Sequence, residues 1–298
     1  MDPLTQIIPP STATAGAARR VAVVTGATGG IGRWIALGLA RAGYALVLIA
    51  RDKARADATR SWIAGLVPQT QQELLIADLS LLAATREAGA IIAARHPEIA
   101  LLINNAGIFE TRQTFTAEGV ERVVATNLLS PFVLTRQLLP SLRAGAPSRI
   151  VNIGSSTSDR ARIDPDDLGL AKHWTMVRAY GQSKLALMMV TFALAERLAG
   201  SGVVANVVHP GLVATGLVRS GGIIGLAWRC LALAALSEEQ GADTPLHAAL
   251  APELASVSGA YFKNRRIATP NRLAADRALV ERVWAATERL AAPVAAPS

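Results

Sequence analysis

The chain reads as an α/β protein built on one doubly wound parallel sheet of about seven strands with helices on both faces. Three observations predict this. Short aliphatic, β-branched runs alternate with longer stretches of helical period, the sequence form of a parallel sheet joined by crossover helices. Turn-forming and polar residues gather just after those runs, at the strand ends where such sheets hold their ligands. A length of 298 residues at 51% hydrophobic content supports one large domain with a substantial core, and no linker or internal repeat divides it.

Taken in order, residues 1–18 (MDPLTQIIPPSTATAGAA) have no basic n-region or apolar h-region and read as a flexible tail. The domain is expected over 19–290, with a second tail at 291–298. Its strands are RVAVVTG, YALVLIAR, QELLIAD, IALLINNAG, SRIVNIGSS, GVVANVVHPG and SGAYF. Thr25-Gly26 follows the first strand, Arg51 the second, Asp78 the third, Asn104 the fourth, Ser155 the fifth and Pro210-Gly211 the sixth. One crevice would collect them all. The stretch 221–237 (GGIIGLAWRCLALAALS) is nearly as long as a short membrane span, but Arg229 at its middle and the glycine pair at its start speak against crossing a bilayer. It is expected to be an apolar flap over the substrate, or an interfacial helix in peripheral contact with a membrane.

The formal charge of +8 comes from basic residues scattered singly, with few aromatics to stack on bases, so nucleic acid is not expected as a partner. Cys230 is the one cysteine, which excludes an internal disulfide and fits a reducing compartment. Four histidines show no metal-ligand spacing, and no metal is expected. His209 reads as a loop residue.

The turn Thr25-Gly26-Ala27-Thr28-Gly29-Gly30-Ile31-Gly32 leads from a strand directly into a helix. Glycines let the backbone turn sharply and approach a pyrophosphate, which then meets the unpaired N–H groups of the helix start. A dinucleotide is the expected ligand. Arg51 stands where such folds often place an acid on the adenosine ribose; a guanidinium pairs instead with a 2′-phosphate, which favours NADP over NAD. Arg33 and Lys53 are possible assistants. Asp78, followed by Leu79, offers a carboxylate to the adenine amine or caps the next helix. Asn104 and Asn105 provide amides to bridge strands before the small surface of Ala106-Gly107. Asn127 is polar among apolar helix residues, which implies a buried hydrogen-bonding role.

Tyr180 and Lys184 lie four apart on an amphipathic helix and project from one face. A phenol titrates near pH ~10, and an adjacent ammonium favours its ionised form, so the pair can give and take a proton near neutrality.

With TGxxxGxG, NNAG, Tyr-x-x-x-Lys and the Pro-Gly turn in this order, the chain resembles the short-chain dehydrogenase/reductase family over residues 19 to 290, with its Rossmann-type sheet. Within the family it looks most like the retinol-dehydrogenase-like branch. The Arg after the second strand, the long insert before Tyr180, and EEQGADTPLHAAL followed by SGAYF and ERVWAATERL carry that likeness. The resemblance implies catalytic roles for Asn127 (holding a water), Ser155, Tyr180 and Lys184. Ser155 is reached by counting from Asn152 in IVNIGSS; Gly154 stands where a first serine is usual, and Ser156 is the alternative. It also implies cofactor contacts from Pro210, Gly211 and Thr215 at the nicotinamide end, and the NADP-selecting role of Arg51. The expected activity is hydride transfer between NADP and a small hydrophobic alcohol, aldehyde or ketone. Tyr180 would act as general acid and base, and Ser155 would orient the substrate oxygen. The alternative is a catalytically silent NADP-sensing or interaction protein on the same fold. A cytoplasmic location is expected, and homo-oligomerisation through the helices that carry Asn127 and Tyr180.

Overall fold

A computed structural model of the chain describes residues 5–8, 20–213 and 236–292. Its strands are β1 (Thr5–Ile8), β2 (Val21–Thr25), β3 (Ala45–Ala50), β4 (Gln72–Ala77), β5 (Leu101–Asn104), β6 (Ser148–Ile153), β7 (Val203–His209), β8 (Tyr261–Lys263) and β9 (Arg266–Ile267). Together they form one sheet in the order β1-β4-β3-β2-β5-β6-β7-β8-β9. All seven expected strands are present and mutually parallel. Their aliphatic runs are buried on both faces, as β3 shows with five of its six residues in the core.

Two short antiparallel strands complete the edges. Within the stretch expected as an N-terminal tail, Thr5–Ile8 pairs with β4, Thr5 opposite Ala77 and Ile8 opposite Leu74. At the other edge, Asn264 and Arg265 both take positive φ, 47° and 62°, and turn β8 back into β9 as a two-residue hairpin. Each addition satisfies backbone groups that an open edge would expose.

One face of the sheet is covered by α1 (Gly30–Arg41), α2 (Lys53–Leu66) and α7 (Glu238–Leu250), packed on Ala22, Val24, Leu46 and Leu48. The intervening residues Val23, Val47 and Ile49 face α3 (Leu82–Arg95), α5 (Ser130–Ala144) and the end of α6 (Met176–Arg197). Strand periodicity of two produces this division. A one-turn α4 (Arg122–Val124) runs through a π turn, Ala125–Leu129, into α5. The last helix, α8 (Arg277–Ala291), lies outside α5 and α6. It is held there by Trp284 edge-on to Phe132 at 5.1 Å and by the ion pairs Arg136 to Glu288 and Arg197 to Glu281. No described helix is long and apolar enough to cross a membrane.

Strand order reverses between β2 and β5, which opens a crevice at their carboxyl ends. Four hydrogen bonds pin this point. The Thr25 hydroxyl accepts from the N–H groups of Asn105 and Ala106, both at 2.9 Å, while the Asn105 amide donates to Thr25 O and Gly26 O at 2.9 and 3.1 Å.

Candidate active site

The glycine turn sits at the mouth of that crevice. Gly26 has φ of 64° and Gly30 of 55°, a backbone region that residues with a Cβ rarely adopt. At Gly32 space is the reason for glycine: an added Cβ would lie 2.2 Å from Gly26 O and 2.5 Å from Asn105 Nδ2. Helix α1 starts here with no side chain capping it and no acidic residue in its first turn. Its free N–H groups and the positive end of its dipole therefore face the crevice, and the loop fits an anionic pyrophosphate. Thr28 and Ile31 belong to this turn, Ile31 with its side chain in the core.

Arg51 is exposed at the end of β3. The two proposed helpers are committed elsewhere. Arg33 pairs with Glu238 at 3.0 Å and stacks on Trp62, and Lys53 pairs with Asp57 at 2.7 Å. Arg55, by contrast, reaches the turn. It donates to Thr28 O at 3.1 Å, and its guanidinium lies 2.5 Å from where a Cβ on Gly29 would sit. A cation is thereby laid across the glycine turn. Its place four residues after Arg51 on the first turn of α2 was the only sequence signal.

Several expected cofactor residues prove to be partly committed to the scaffold. The Thr25 hydroxyl serves β5, and the Leu79 side chain is buried in the core, which leaves backbone for any ligand contact. Asp78 accepts from Ser80 N at 2.9 Å and shapes the turn after β4. The helix it was considered to cap is instead met by Glu118, whose carboxylate accepts from Leu82 N and Ala83 N at 2.6 and 2.7 Å. Asn104 ties β5 to its neighbours, donating to Thr135 Oγ1 at 3.1 Å and Asn152 Oδ1 at 2.8 Å. Thr215, and residues 221–235 of the expected flap, lie outside the described residues. The chain on either side of that segment meets: Leu236 N donates to Leu212 O at 2.7 Å, and the Leu236 side chain would lie 2.6 Å from a Cβ on Gly211.

Asn127 is fully buried on the π turn. Its side chain brackets Ile108, accepting from the N–H at 2.8 Å and donating to the carbonyl at 3.0 Å, and it also donates to Ser183 Oγ at 3.2 Å. It does not bond Lys184 directly. The two approach across Gly107, where a Cβ would stand 3.3 Å from Asn127 Oδ1 and 3.4 Å from Lys184 Nζ. Ile108 and Ser183 were not singled out from the sequence, because nothing local marks a backbone clamp.

Ser155 and Ser156 separate cleanly. Ser155 stands beside the Tyr180 phenol, where its side chain favours the ionised form. Its oxygen accepts from Thr157 Oγ1 at 3.0 Å and Thr157 N at 3.3 Å, which leaves its hydrogen free to point toward Tyr180. Ser156 is exposed, and its N–H donates to His209 Nδ1 at 3.2 Å. Burial, together with nearby Lys263, lowers the His209 pKa to about 4, so the ring is neutral and that nitrogen stays an acceptor. Tyr261 supports the same loop by donating to Asp159 Oδ1 at 3.0 Å and to Ser155 O at 3.4 Å. At Gly154 a serine would place its Cβ 2.6 Å from Val207 Cγ1, so the departure from the family pattern is filled by a neighbour.

Tyr180 and Lys184 share the inner face of α6, with Nζ 5.9 Å from the phenol ring centre and Phe109 edge-on to the same ring at 5.1 Å. Lys184 is 4% exposed and donates to Ile153 O at 2.8 Å. Burial lowers its pKa to about 8, so it still carries its charge at neutral pH. The expectation for Tyr180 needs correcting here. Burial pushes the phenol above its ordinary value, and the polar side chain of Ser155 only partly opposes this. At 5.9 Å from the ring, Lys184 does not overcome desolvation by itself.

A model of the short chain dehydrogenase family matches residues 20–222. Human retinol dehydrogenase 13 is 37% identical over 278 residues, 91% of this chain and 84% of that protein. Polyprenol dehydrogenase of Mus musculus is 39% identical over 279 residues, covering 91% and 83%. Among solved structures, an uncharacterised protein from Mycobacterium paratuberculosis superposes with a TM-score of 0.74 at 30% identity, over 92% of this chain and 94% of its own. A short chain dehydrogenase from Burkholderia cenocepacia in complex with NADP gives 0.66 at 26%, over 82% and 95%. A strand-order switch with a phosphate-ready glycine turn, and Ser155, Tyr180 and Lys184 gathered beside it, agree with these likenesses: the chain belongs to the short-chain dehydrogenase family, in its retinol-dehydrogenase-like branch.

Proposed function

We propose that this oxidoreductase uses NADP to interconvert a hydrophobic alcohol with its aldehyde or ketone, and that Tyr180 transfers the proton. The observation that carries the reading is the meeting of Ser155, the Tyr180 phenol and the buried Lys184, whose Nζ lies 5.9 Å from the phenol ring centre and donates to Ile153 O. When bound, the nicotinamide supplies or accepts the hydride. The proton is left to the protein. In the reducing direction Tyr180 Oη donates to the substrate oxygen, so no free alkoxide accumulates. Ser155 donates to the same oxygen and orients it, a stabilisation of the oxyanion-hole kind. Lys184 holds positive charge beneath the site and favours the phenolate left on Tyr180. Burial favours the protonated phenol, the form that donates in the reducing direction. Asn127 keeps the Ile108 backbone in place opposite Lys184.

Arg51 and Arg55, near the adenosine end, support a 2′-phosphate and hence NADP, and the NADP complex of the Burkholderia relative is consistent with this. Retinol and polyprenol in the relatives' names are long apolar alcohols, which favours an isoprenoid-like substrate. The edge of Phe109 on Tyr180 lends an apolar wall to such a chain. A cytoplasmic location with peripheral membrane contact through 221–237 remains part of the proposal. Self-association through α5 and α6 rests on the resemblance alone. In this chain α8 covers the Phe132 side of that pair, and light scattering against 31.1 kDa per chain decides it.

The test is turnover of all-trans-retinal, octanal and benzaldehyde with NADPH and with NADH, for the wild type and Tyr180→Phe. Loss of the proton donor should lower turnover at least about 10²-fold with little change in NADPH affinity. Unchanged turnover in the variant refutes the assignment. Tenfold tighter binding of NADH refutes the NADP reading.

A further inference from the structure

Behind the site, one carboxylate joins the two helices that carry its functional side chains. Glu121 is 1% exposed, and each of its oxygens has its own donor. Oε2 accepts from Val124 N at 2.8 Å and so caps α4, the turn that continues into the π segment bearing Asn127. Oε1 accepts from the indole N–H of Trp174 at 3.0 Å. Trp174 immediately precedes Thr175, whose side chain caps α6 by accepting from Arg178 N. The helix of Tyr180 and Lys184 begins there. A helix cap needs only one acceptor, which Ser, Thr, Asp or Asn normally provides. A buried glutamate is a costly choice for that task, and desolvation does push this carboxyl above its ordinary range. Its second oxygen accounts for the choice, because the two separate acceptor atoms of a carboxylate reach donors on separate elements, Val124 N and the Trp174 indole.

We propose that Glu121 is a positioning residue. By bridging the Asn127 segment to the start of α6 it sets the spacing between the Ile108 clamp and Tyr180, and turnover depends on it although it touches neither substrate nor cofactor. This rests on the oxidoreductase reading above. Glutamine keeps the shape but has one acceptor for two donors, so in Glu121→Gln its NH2 must face either Val124 N–H or the indole N–H. Trp174→Phe removes only the second donor.

The experiment measures kcat with NADPH on the aldehyde that the wild type reduces fastest among all-trans-retinal, octanal and benzaldehyde. It adds NADPH affinity by fluorescence, the isotope effect with 4-deuterated NADPH, and backbone hydrogen exchange. Glu121→Gln is expected to lose about ten- to a hundredfold in kcat, the scale of a misplaced catalytic group. NADPH affinity should stay within about twofold and the isotope effect should rise, a split that general destabilisation would not give. Trp174→Phe, which keeps the cap on α4 but breaks the bridge, should lower kcat in the same way, and the double variant should not recover, because it lacks the bridge as well. Residues 122–129 and 175–184 should gain exchange together in Glu121→Gln while the glycine turn does not. Wild-type kcat in Glu121→Gln, or exchange rising in only one segment, overturns the proposal. If the wild type binds NADPH yet reduces none of the three aldehydes, the oxidoreductase reading falls, and joint or separate exchange of the two segments judges the bridge.

Discussion

Lys184→Met should make the protein more stable at pH 7 while removing its activity. Lys184 is 4% exposed, and Ile153 O at 2.8 Å accepts the hydrogen bond of its ammonium. Burial lowers its pKa from 10.5 to about 8. That interval corresponds to roughly 3 kcal/mol against the charged form at pH 7. Methionine has a similar volume and no charge, but it leaves a carbonyl without its partner, which costs about 1–2 kcal/mol. The net expectation is a gain of about 1–2 kcal/mol in urea unfolding at pH 7. The folded-state value lies below that of the unfolded chain, so between about pH 8 and 10.5 the unfolded chain binds more protons. Wild-type stability therefore rises with pH across this window from this group, and the wild-type penalty falls to about 1 kcal/mol by pH 10. The advantage of Lys184→Met should then vanish or reverse. Turnover should fall at least about tenfold at pH 7, since no fixed charge remains to favour the Tyr180 phenolate. A variant less stable than wild type at pH 7, or a stability difference equal at pH 7 and pH 10, refutes the reasoning.

Arg51→Ala should weaken NADPH binding about tenfold, roughly 1.4 kcal/mol, and leave NADH binding unchanged in fluorescence titrations. Equal losses for both cofactors would move Arg51 out of 2′-phosphate recognition. Arg55→Ala should do the same and should also release the Thr28 carbonyl, which loosens the glycine turn in hydrogen exchange. Gly32→Ala forces backbone apart at 2.2 Å from Gly26 O, so it should cost about 1–3 kcal/mol or more in unfolding and abolish cofactor binding. Wild-type NADPH affinity in Gly32→Ala would show that the turn tolerates a side chain.

Much of this molecule is legible in one dimension. Strand runs such as VAVVT and ALVLIA, the glycine turn, and the Tyr180 and Lys184 pair are set by short-range periodicity, and the helix repeat carries both side chains to one face regardless of what surrounds them. Seven parallel strands and the placement of Thr25, Arg51, Asp78, Asn104, Ser155 and Pro210 at strand ends follow from the same local patterns. What escaped depends on partners distant in the chain. Ser155 differs from Ser156 because Tyr180 approaches one and His209 the other. Arg33 and Arg55 have the same chemistry, yet Glu238 draws the first away and Thr28 O draws the second onto the glycine turn. Glu118 caps a helix 36 residues earlier, and Glu121 joins α4 to Trp174 at 53 residues' separation. The ionisation of Tyr180 and Lys184 was the least legible property, because desolvation is the sum of everything packed around a group and exists only once the chain has closed over it.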